Sequence, residues 1–422
     1  MGRKGFKNNK PHLLIYAHYY FPDVASTGQI LKELAEGMSD KFHITVICVV
    51  PSYRGIIEHK YKNQKYYYEM INDVEIIRVR VPAFNKEQKL SRIKNISVYF
   101  LHALCATFKV KHVDYVYSIS QPPILGGLIG VWGKWVKHAK FIYNIQDFNP
   151  EQIIATGYSK NKSVLKIMSV LDNFSCKQAD KIIVVGRDMI CTLENRFHGS
   201  QLPAHVFVNN WIDEQTIYPL PGDHERVLAF KKKYGLQDKF VFMYSGNIGL
   251  YYDLLNLLKV IKQFKKEKNI IFAFVGEGSV LNELKRYKKE EQISNVVFIP
   301  YQDKENLIYS LNAGDVHWVV NAKGIRGISV PSKCYGVMGV GKAIIGVLEQ
   351  NSEADLLINQ ANCGRVCEPG DYDEIQKQIR WFIEHKDSQI LLDMGWNGRK
   401  YLEEYLTKEI SIGKYKEEIL EL

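Results

Sequence analysis

The chain has 422 residues, 46% of them apolar and 24% charged, with ordinary numbers of glycine (30) and proline (13). That is enough apolar material for packed cores in two or three domains, and it excludes collagen-like, low-complexity and wholly disordered classes. The formal charge is +10 and falls entirely within residues 1–215, because residues 216–422 sum to zero. One half therefore carries a basic field, suited to nucleic acid, a membrane surface or a phosphorylated substrate.

Taken in chain order, the first apolar run (13–17) follows a basic stretch and is too short for a signal-peptide core. Short β-branched and aromatic runs then recur at 44–50, 74–81, 115–119, 141–145, 182–185 and 206–208. A second set lies at 240–244, 270–275, 296–299, 316–320 and 343–347. Such runs read as strands buried on both faces of a parallel sheet. Between them lie helical stripes, such as Ile30, Leu31, Leu34 and Met38, or Leu254, Leu257, Leu258 and Ile261. The alternation predicts a doubly wound α/β fold, twice over, joined near 214–223 where two prolines and a glycine precede a new helix. Two such domains leave a cleft at the carboxyl ends of their strands. The longest apolar stretch, 123–132, is cut off by Lys134 and is too short to span a bilayer. The seven cysteines (Cys48, Cys105, Cys176, Cys191, Cys334, Cys363 and Cys367) form no CxxC pair, which argues against a disulfide framework or zinc site and fits a reducing cytoplasm.

Several chemical motifs are missing. No GxGxxG follows the first strand, which disfavours NAD. Residues 336–342 read GVMGVGK but are followed by Ala343 where a P-loop needs Ser or Thr. Glycines do stand at two strand ends of the second half, Gly246 and Gly249, then Gly276 and Gly278. They make ordinary βα turns, or let backbone N–H groups approach a nucleotide. Lys323, Arg326 and Lys333 cluster after the run 316–320, with Pro331 stiffening the approach to Lys333. They form a solvated basic loop or neutralise a diphosphate.

The order SGNIG (245–249), VGEG (275–278), VPSKCYG (330–336) and GVGKAIIG (339–346) resembles the nucleotide-binding domain of family 4 glycosyltransferases of GT-B fold. Within that family it is similar to the bacterial branch of capsule, O-antigen and exopolysaccharide assembly, such as the fucosyl and N-acetylfucosaminyl transferases. The first half agrees through 19–38, IQDFNPEQIIATG (145–157) and NNWID (209–213). The resemblance implies an acceptor-binding domain over 1–214, a nucleotide-sugar domain over 215–395 and a C-terminal helix, 396–422, crossing back onto the first domain.

By the same resemblance, Gly28, Gly246 and Asn247 lie at the donor phosphates, and Glu277 and Gly278 line the nucleotide. Tyr301 and Gln302 hold the base. Ser329, Val330, Ser332 and Lys333 surround the diphosphate and sugar, with Lys323 and Arg326 as further cations. Asp147 reaches the reacting hydroxyl, supported by Glu151; Asp147 as a plain helix cap and Tyr301 as plain packing are the bland readings. Retention without a metal or other cofactor is implied. A UDP-sugar is the first donor expected and a GDP-sugar the second, with a polyprenyl-diphosphate-linked sugar as acceptor. Two places depart from the family. Ile328 and Gly336 stand where a pair of glutamates is common, and residues 250–253 (LYYD) replace the usual Arg and Lys.

The basic excess sits in 86–112, with six Lys/Arg against one Glu, and in 131–140, where Trp132 and Trp135 alternate with Lys134, Lys137 and Lys140. Such stretches either lie on an anionic membrane or are half-buried helices whose lysines snorkel. With the resemblance they imply a cytoplasmic protein, peripheral on the inner face of the cell membrane. No RNP, helix-turn-helix or zinc signature supports nucleic acid. A nucleotide-sugar 2-epimerase of the same double fold, and a non-catalytic membrane-docked assembly subunit, stay open as other classes.

Overall fold

The computed structural model describes residues 10–422 except 24, 25, 54, 86 and 87, with all side chains there but those of Ser26 and Lys89. Parts of the stretches 19–38 and 86–112 singled out above thus lie outside the described residues.

The first domain holds β1 (His12–Tyr16), α1 (Ser26–Met38), β2 (His43–Val49), β3 (Tyr66–Ile71), β4 (Val74–Val79), α2 (Lys89–Thr107), β5 (Tyr115–Ile119), α3 (Leu125–Lys137) and β6 (Lys140–Ile145). It continues through α4 (Glu151–Ala155), α5 (Lys162–Gln178), β7 (Lys181–Val184), α6 (Arg187–Arg196) and β8 (His205–Phe207). The second holds α7 (Glu225–Lys233), β9 (Phe240–Ser245), α8 (Leu254–Ile261), β10 (Ile270–Val275), α9 (Leu281–Glu290), β11 (Val296–Ile299) and α10 (Lys304–Asn312). After β12 (Val316–Val320) come α11 (Lys333–Gly339), β13 (Ala343–Val347), α12 (Glu353–Ala361), β14 (Gly364–Cys367) and α13 (Tyr372–Glu384). Two more helices, α14 (Gln389–Tyr405) and α15 (Lys408–Leu420), end the chain.

The strands form two sheets, β3-β4-β2-β1-β5-β6-β7-β8 and β11-β10-β9-β12-β13-β14. Every pairing is parallel except β3 with β4, a hairpin that turns at Asn72 and Asp73, both at positive φ. Each sheet reverses its strand order beside its first strand, between β1 and β5 and between β9 and β12. A doubly wound sheet opens its ligand crevice at such a point. The central strands are mostly apolar because helices cover both faces; Leu13, Leu14 and Ile15 are wholly buried, as are Phe242 and Met243.

Glycine decides how α3 lies. A Cβ at Gly130 would come 2.2 Å from the Phe141 ring, and one at Gly133 2.8 Å from Tyr16. The helix therefore beds directly on β5 and β6. This corrects the expectation that 131–140 presents a free basic face. The Lys134 ammonium donates to Gln178 O at 2.8 Å and pairs with Asp180, Lys137 donates to Val110 O, and Trp132 donates to Leu104 O. Only Trp135, of the residues expected to meet a membrane there, is a large exposed apolar group.

The expected tail 396–422 also needs correction, because it is not one helix. It breaks at Leu406 and Thr407, where the Thr407 hydroxyl caps α15 by accepting from Ile410 N. Residues 396–405 belong to α14, which packs on α11 and β13 of the second domain. Only α15 crosses to the first domain, where Ser411 accepts from Asn209 and Tyr415 from Asn144.

Candidate functional site

The two switch points face each other across a seam made by the loops after β6 and β12. Asp147 and Ser329 pair as an isolated antiparallel bridge, and Phe148 N donates to Ile328 O at 2.9 Å. Gly327 N donates to Asp188 Oδ2 at 2.8 Å, and the Thr192 hydroxyl donates to Gly327 O at 2.7 Å. Arg187 holds the buried Glu353 through its backbone N–H at 2.8 Å and its guanidinium at 2.9 Å. These clamps fix segment 327–330 onto the first domain. Ile328 and Val330 accordingly join that domain's core, so Val330 packs across the seam instead of facing a donor.

On the second-domain side, the loops after β9 and β10 run backbone against backbone. Ile248 N donates to Glu277 O at 2.8 Å, and Val280 N to Ile248 O at 3.1 Å. A Cβ at Gly276 would sit 2.0 Å from Gly246 O, and one at Gly278 2.1 Å from Ile248 O. Glycine is therefore needed there for loop packing, and it leaves Asn247, Glu277 and Gly278 exposed at the crevice, while the Gly246 N–H donates to Val275 O at 2.9 Å. Asn247, Glu277 and Tyr301 are exposed at this rim, and Gln302 turns back to donate to Pro300 O.

Lys333 is the cation brought to these glycines. A Cβ at Gly246 would lie 2.4 Å from its Cε. Its ammonium sits 3.6 Å from the Tyr252 ring centre and 5.2 Å from that of Tyr244. Burial between these rings pushes the ammonium down to about 7, and it has no carboxylate partner among the described residues. Tyr252 thus stands in the stretch, 250–253, where the family resemblance leads one to expect Arg and Lys.

The other two cations go elsewhere. The Glu349 carboxylate accepts from the N–H groups of Gly324, Ile325 and Arg326, each at 2.9 Å, and draws their loop toward itself. Arg326 donates to Gln350 O at 3.0 Å, while Lys323 lines an open groove with Glu368, Asp371 and Asp373. The three lysines and arginines close in sequence do not converge. Ser332 is exposed at the start of α11 without capping it.

On the first-domain side, Asp147 lines a cavity of about 200 Å³ with His18, Tyr19, Arg92, Gln121 and Asn149 among its walls. Gln121 ties the cavity to α1, accepting from the Thr27 hydroxyl at 3.1 Å and donating toward Asp147 Oδ2 at 3.5 Å. Gly28, one residue on, lets α1 start against Tyr19, since a Cβ there would be 3.1 Å from Tyr19 O. Desolvation raises the Asp147 carboxyl above its usual range, with Ser329 and Gln121 hydrogen bonds opposing it. His18 is buried with Nε2 unpartnered, and burial pushes it down to about 3, so the ring is neutral. Sequence reasoning missed His18, Gln121 and Arg92; only a position just past the first strand marks His18 as cleft-facing.

Glu151 does not face the cleft. Its carboxylate receives both arms of Arg196, which also donates to Asn149 O at 2.7 Å and to Asp172 at 2.5 Å. Arg196 further stacks over Phe148, 4.5 Å from the ring centre. The sequence-level role of Glu151 beside Asp147 is therefore corrected to a structural one. It is part of a buried ionic cluster that holds the turn bearing Asp147.

Comparison with known proteins agrees with this geometry. Residues 228–401 match the family described as glycosyl transferases group 1. The chain is 27% identical over 341 residues to the probable glycosyltransferase WbjE of Pseudomonas aeruginosa, covering 80% of this chain and 82% of that protein. It is 23% identical over 412 residues to the putative colanic acid biosynthesis glycosyl transferase WcaI of Escherichia coli K12, covering 94% and 97%. Among solved structures, Anabaena HepE in complex with UDP and glucose superposes with a TM-score of 0.72 at 13% identity, over 98% of this chain and all of that one. The paired Rossmann-like domains are thus those of a GT-B protein.

Proposed function

We propose that this glycosyltransferase, whose group 1 domain spans residues 228–401, moves a sugar from a nucleoside-diphosphate donor to a hydroxyl of a polyprenyl-diphosphate-linked sugar in bacterial surface-polysaccharide assembly. The observation that carries it is Lys333, an ammonium without a carboxylate partner among the described residues, held against Gly246 at one switch point while Asp147 lines a cavity at the other. A buried cation lacking an anion is an incomplete pair, and a diphosphate completes it. The exposed peptides of Asn247, Glu277 and Gly278 would add N–H donors beside it. HepE was solved with UDP, which favours UDP over GDP as the carrier, and WcaI is named for colanic acid biosynthesis.

In this reading the leaving diphosphate gathers charge next to Lys333 as the glycosidic bond breaks. Asp147 orients the acceptor hydroxyl, and the departing phosphate oxygen takes its proton, so configuration is retained without a metal. His18, a neutral ring with a free nitrogen, offers the acceptor a hydrogen bond.

A thermal-shift panel of UDP, GDP, ADP and dTDP tests the donor. A ligand at ~100 times its Kd stabilises by about 2.7 kcal/mol, a shift of roughly 5–10 °C for a domain of this size. UDP alone should give it. No shift with any nucleotide would refute the reading, and conversion of a UDP-sugar without acceptor would convert it to an epimerase.

A further inference from the structure

Helix α5 carries an apolar stripe on its outward face. A surface helix of a globular domain turns its apolar stripe to the core. The buried residues of α5 are instead Asp172, Ser175 and Cys176, with Asp172 bonded to Arg196 and to the Tyr143 hydroxyl. Its outward positions are Val164, Ile167, Val170, Leu171 and Phe174, all exposed, Ile167 and Val170 to 60%. At 100° per residue these five cover roughly 120° of one face. Trp135, itself 52% exposed, extends the stripe through an edge contact with Phe174 at 5.9 Å. Lys162, Lys166 and Lys177 are exposed beside it, and the only carboxylate from 152 to 178 is the buried Asp172.

We propose that α5, together with Trp135, is the face by which this chain lies on an anionic lipid bilayer. An apolar stripe edged by lysines, with an indole at its margin, matches the boundary between acyl chains and acidic headgroups. Charge complementarity favours this occupant over a second copy, since a two-fold contact through the same face would set lysine against lysine. Helix α5 lies outside both stretches that composition pointed to, and of those stretches the face takes in Trp135 alone. It also has a mechanical link to the cleft, because Arg196 joins Asp172 of α5 to Glu151 and to the Asn149 carbonyl beside Asp147. A bilayer under α5 would lie beside the domain that takes the acceptor. The proposal thus deepens the lipid-borne acceptor of the reading above, but its physics needs neither donor nor acceptor.

The experiment is co-sedimentation of the full chain with vesicles of phosphatidylcholine alone or mixed with phosphatidylglycerol, with no nucleotide or acceptor present. The chain should pellet with the mixed vesicles. Ile167→Asp with Val170→Asp should lower partitioning by at least about tenfold. Glutamine at Lys162, Lys166 and Lys177 should lower it by roughly a hundredfold at low salt, at about fivefold per charge near the surface. All variants should keep the nucleotide-induced thermal shift of the wild type, which separates lost docking from lost folding or a failed donor reading. Equal sedimentation of wild type and variants overturns the proposal, as does binding that follows only the lysines of 86–112. A dimer seen by light scattering and abolished by Ile167→Asp with Val170→Asp overturns it in favour of a second copy.

Discussion

Lys333 should make donor binding depend on pH in a way that a surface lysine would not. In the free chain, burial between Tyr244 and Tyr252 brings its ammonium down to about 7. A bound diphosphate favours the charged form and returns the group toward its ordinary value near 10.4. Between these two values binding takes up one proton. Affinity is therefore greatest well below pH 7 and approaches a tenfold fall per pH unit above it, so that by pH 8.5 it is about thirtyfold below its low-pH plateau. The diphosphate diester of a nucleotide sugar does not itself titrate in that window, so it is the right probe. Isothermal calorimetry in buffers of different ionisation enthalpy counts the proton directly. Lys333→Met should abolish the slope and weaken binding below pH 7 by about 2 kcal/mol, some thirtyfold, as the loss of one charge-assisted contact. The same substitution should raise the melting temperature of the ligand-free chain, because it removes an uncompensated ammonium from a buried place. The stability sign agrees. In the folded chain the group binds fewer protons than in the unfolded one above about pH 7, so ligand-free stability rises with pH there and the lysine's cost is full below it. A flat affinity from pH 6 to 8.5, or a slope that survives Lys333→Met, would falsify this account.

Tyr252→Leu removes the ring under the ammonium and should weaken donor binding about tenfold, whereas Tyr252→Phe should bind within about twofold of the wild type; equal losses in both would mean the hydroxyl matters and the ring does not. Asp147→Asn should lower kcat by about a hundredfold while donor affinity stays within about threefold, since the carboxylate faces the acceptor cavity. Glu151→Gln should keep more of kcat than Asp147→Asn and show its damage as a lowered melting point; the reverse order would return Glu151 to the cleft. Arg196→Met leaves the buried Asp172 and the half-buried Glu151 without their cation and should cost about 3–5 kcal/mol in denaturant unfolding. His18→Leu should raise acceptor KM about fivefold, one neutral hydrogen bond, with donor affinity unmoved.

Much of this molecule was open to reading along the chain. Strands buried on both faces announce themselves as runs of valine, isoleucine and phenylalanine, and the glycines at 246, 276 and 278 marked the strand ends where backbone is bared. The hairpin strand β3 was missed because YYYEMI covers an outer edge and is half exposed, so its apolar pattern is weak. The strand β14 was missed for a similar reason, as GRVC is short and carries an arginine. Glu151 was misread because a sequence shows a carboxylate four places after Asp147 and cannot show that Arg196, forty-five residues on, has claimed it.

What the sequence determines by itself is therefore what depends on neighbours in the chain: the alternation of strand and helix, the turns, and the total charge of each half. Tertiary structure decides which charges are left unpaired. Among Lys323, Arg326 and Lys333, close together in the chain, only Lys333 is placed at Gly246, because Glu349 draws the loop carrying the other two away. The lysines of α3 looked free and are bonded to backbone carbonyls, whereas α5, whose composition drew no notice, holds its aspartate inward and its valines and isoleucine outward. Charge and hydrophobicity acquire chemical meaning only with the partner or solvent each group faces, and those partners lie tens to hundreds of residues away.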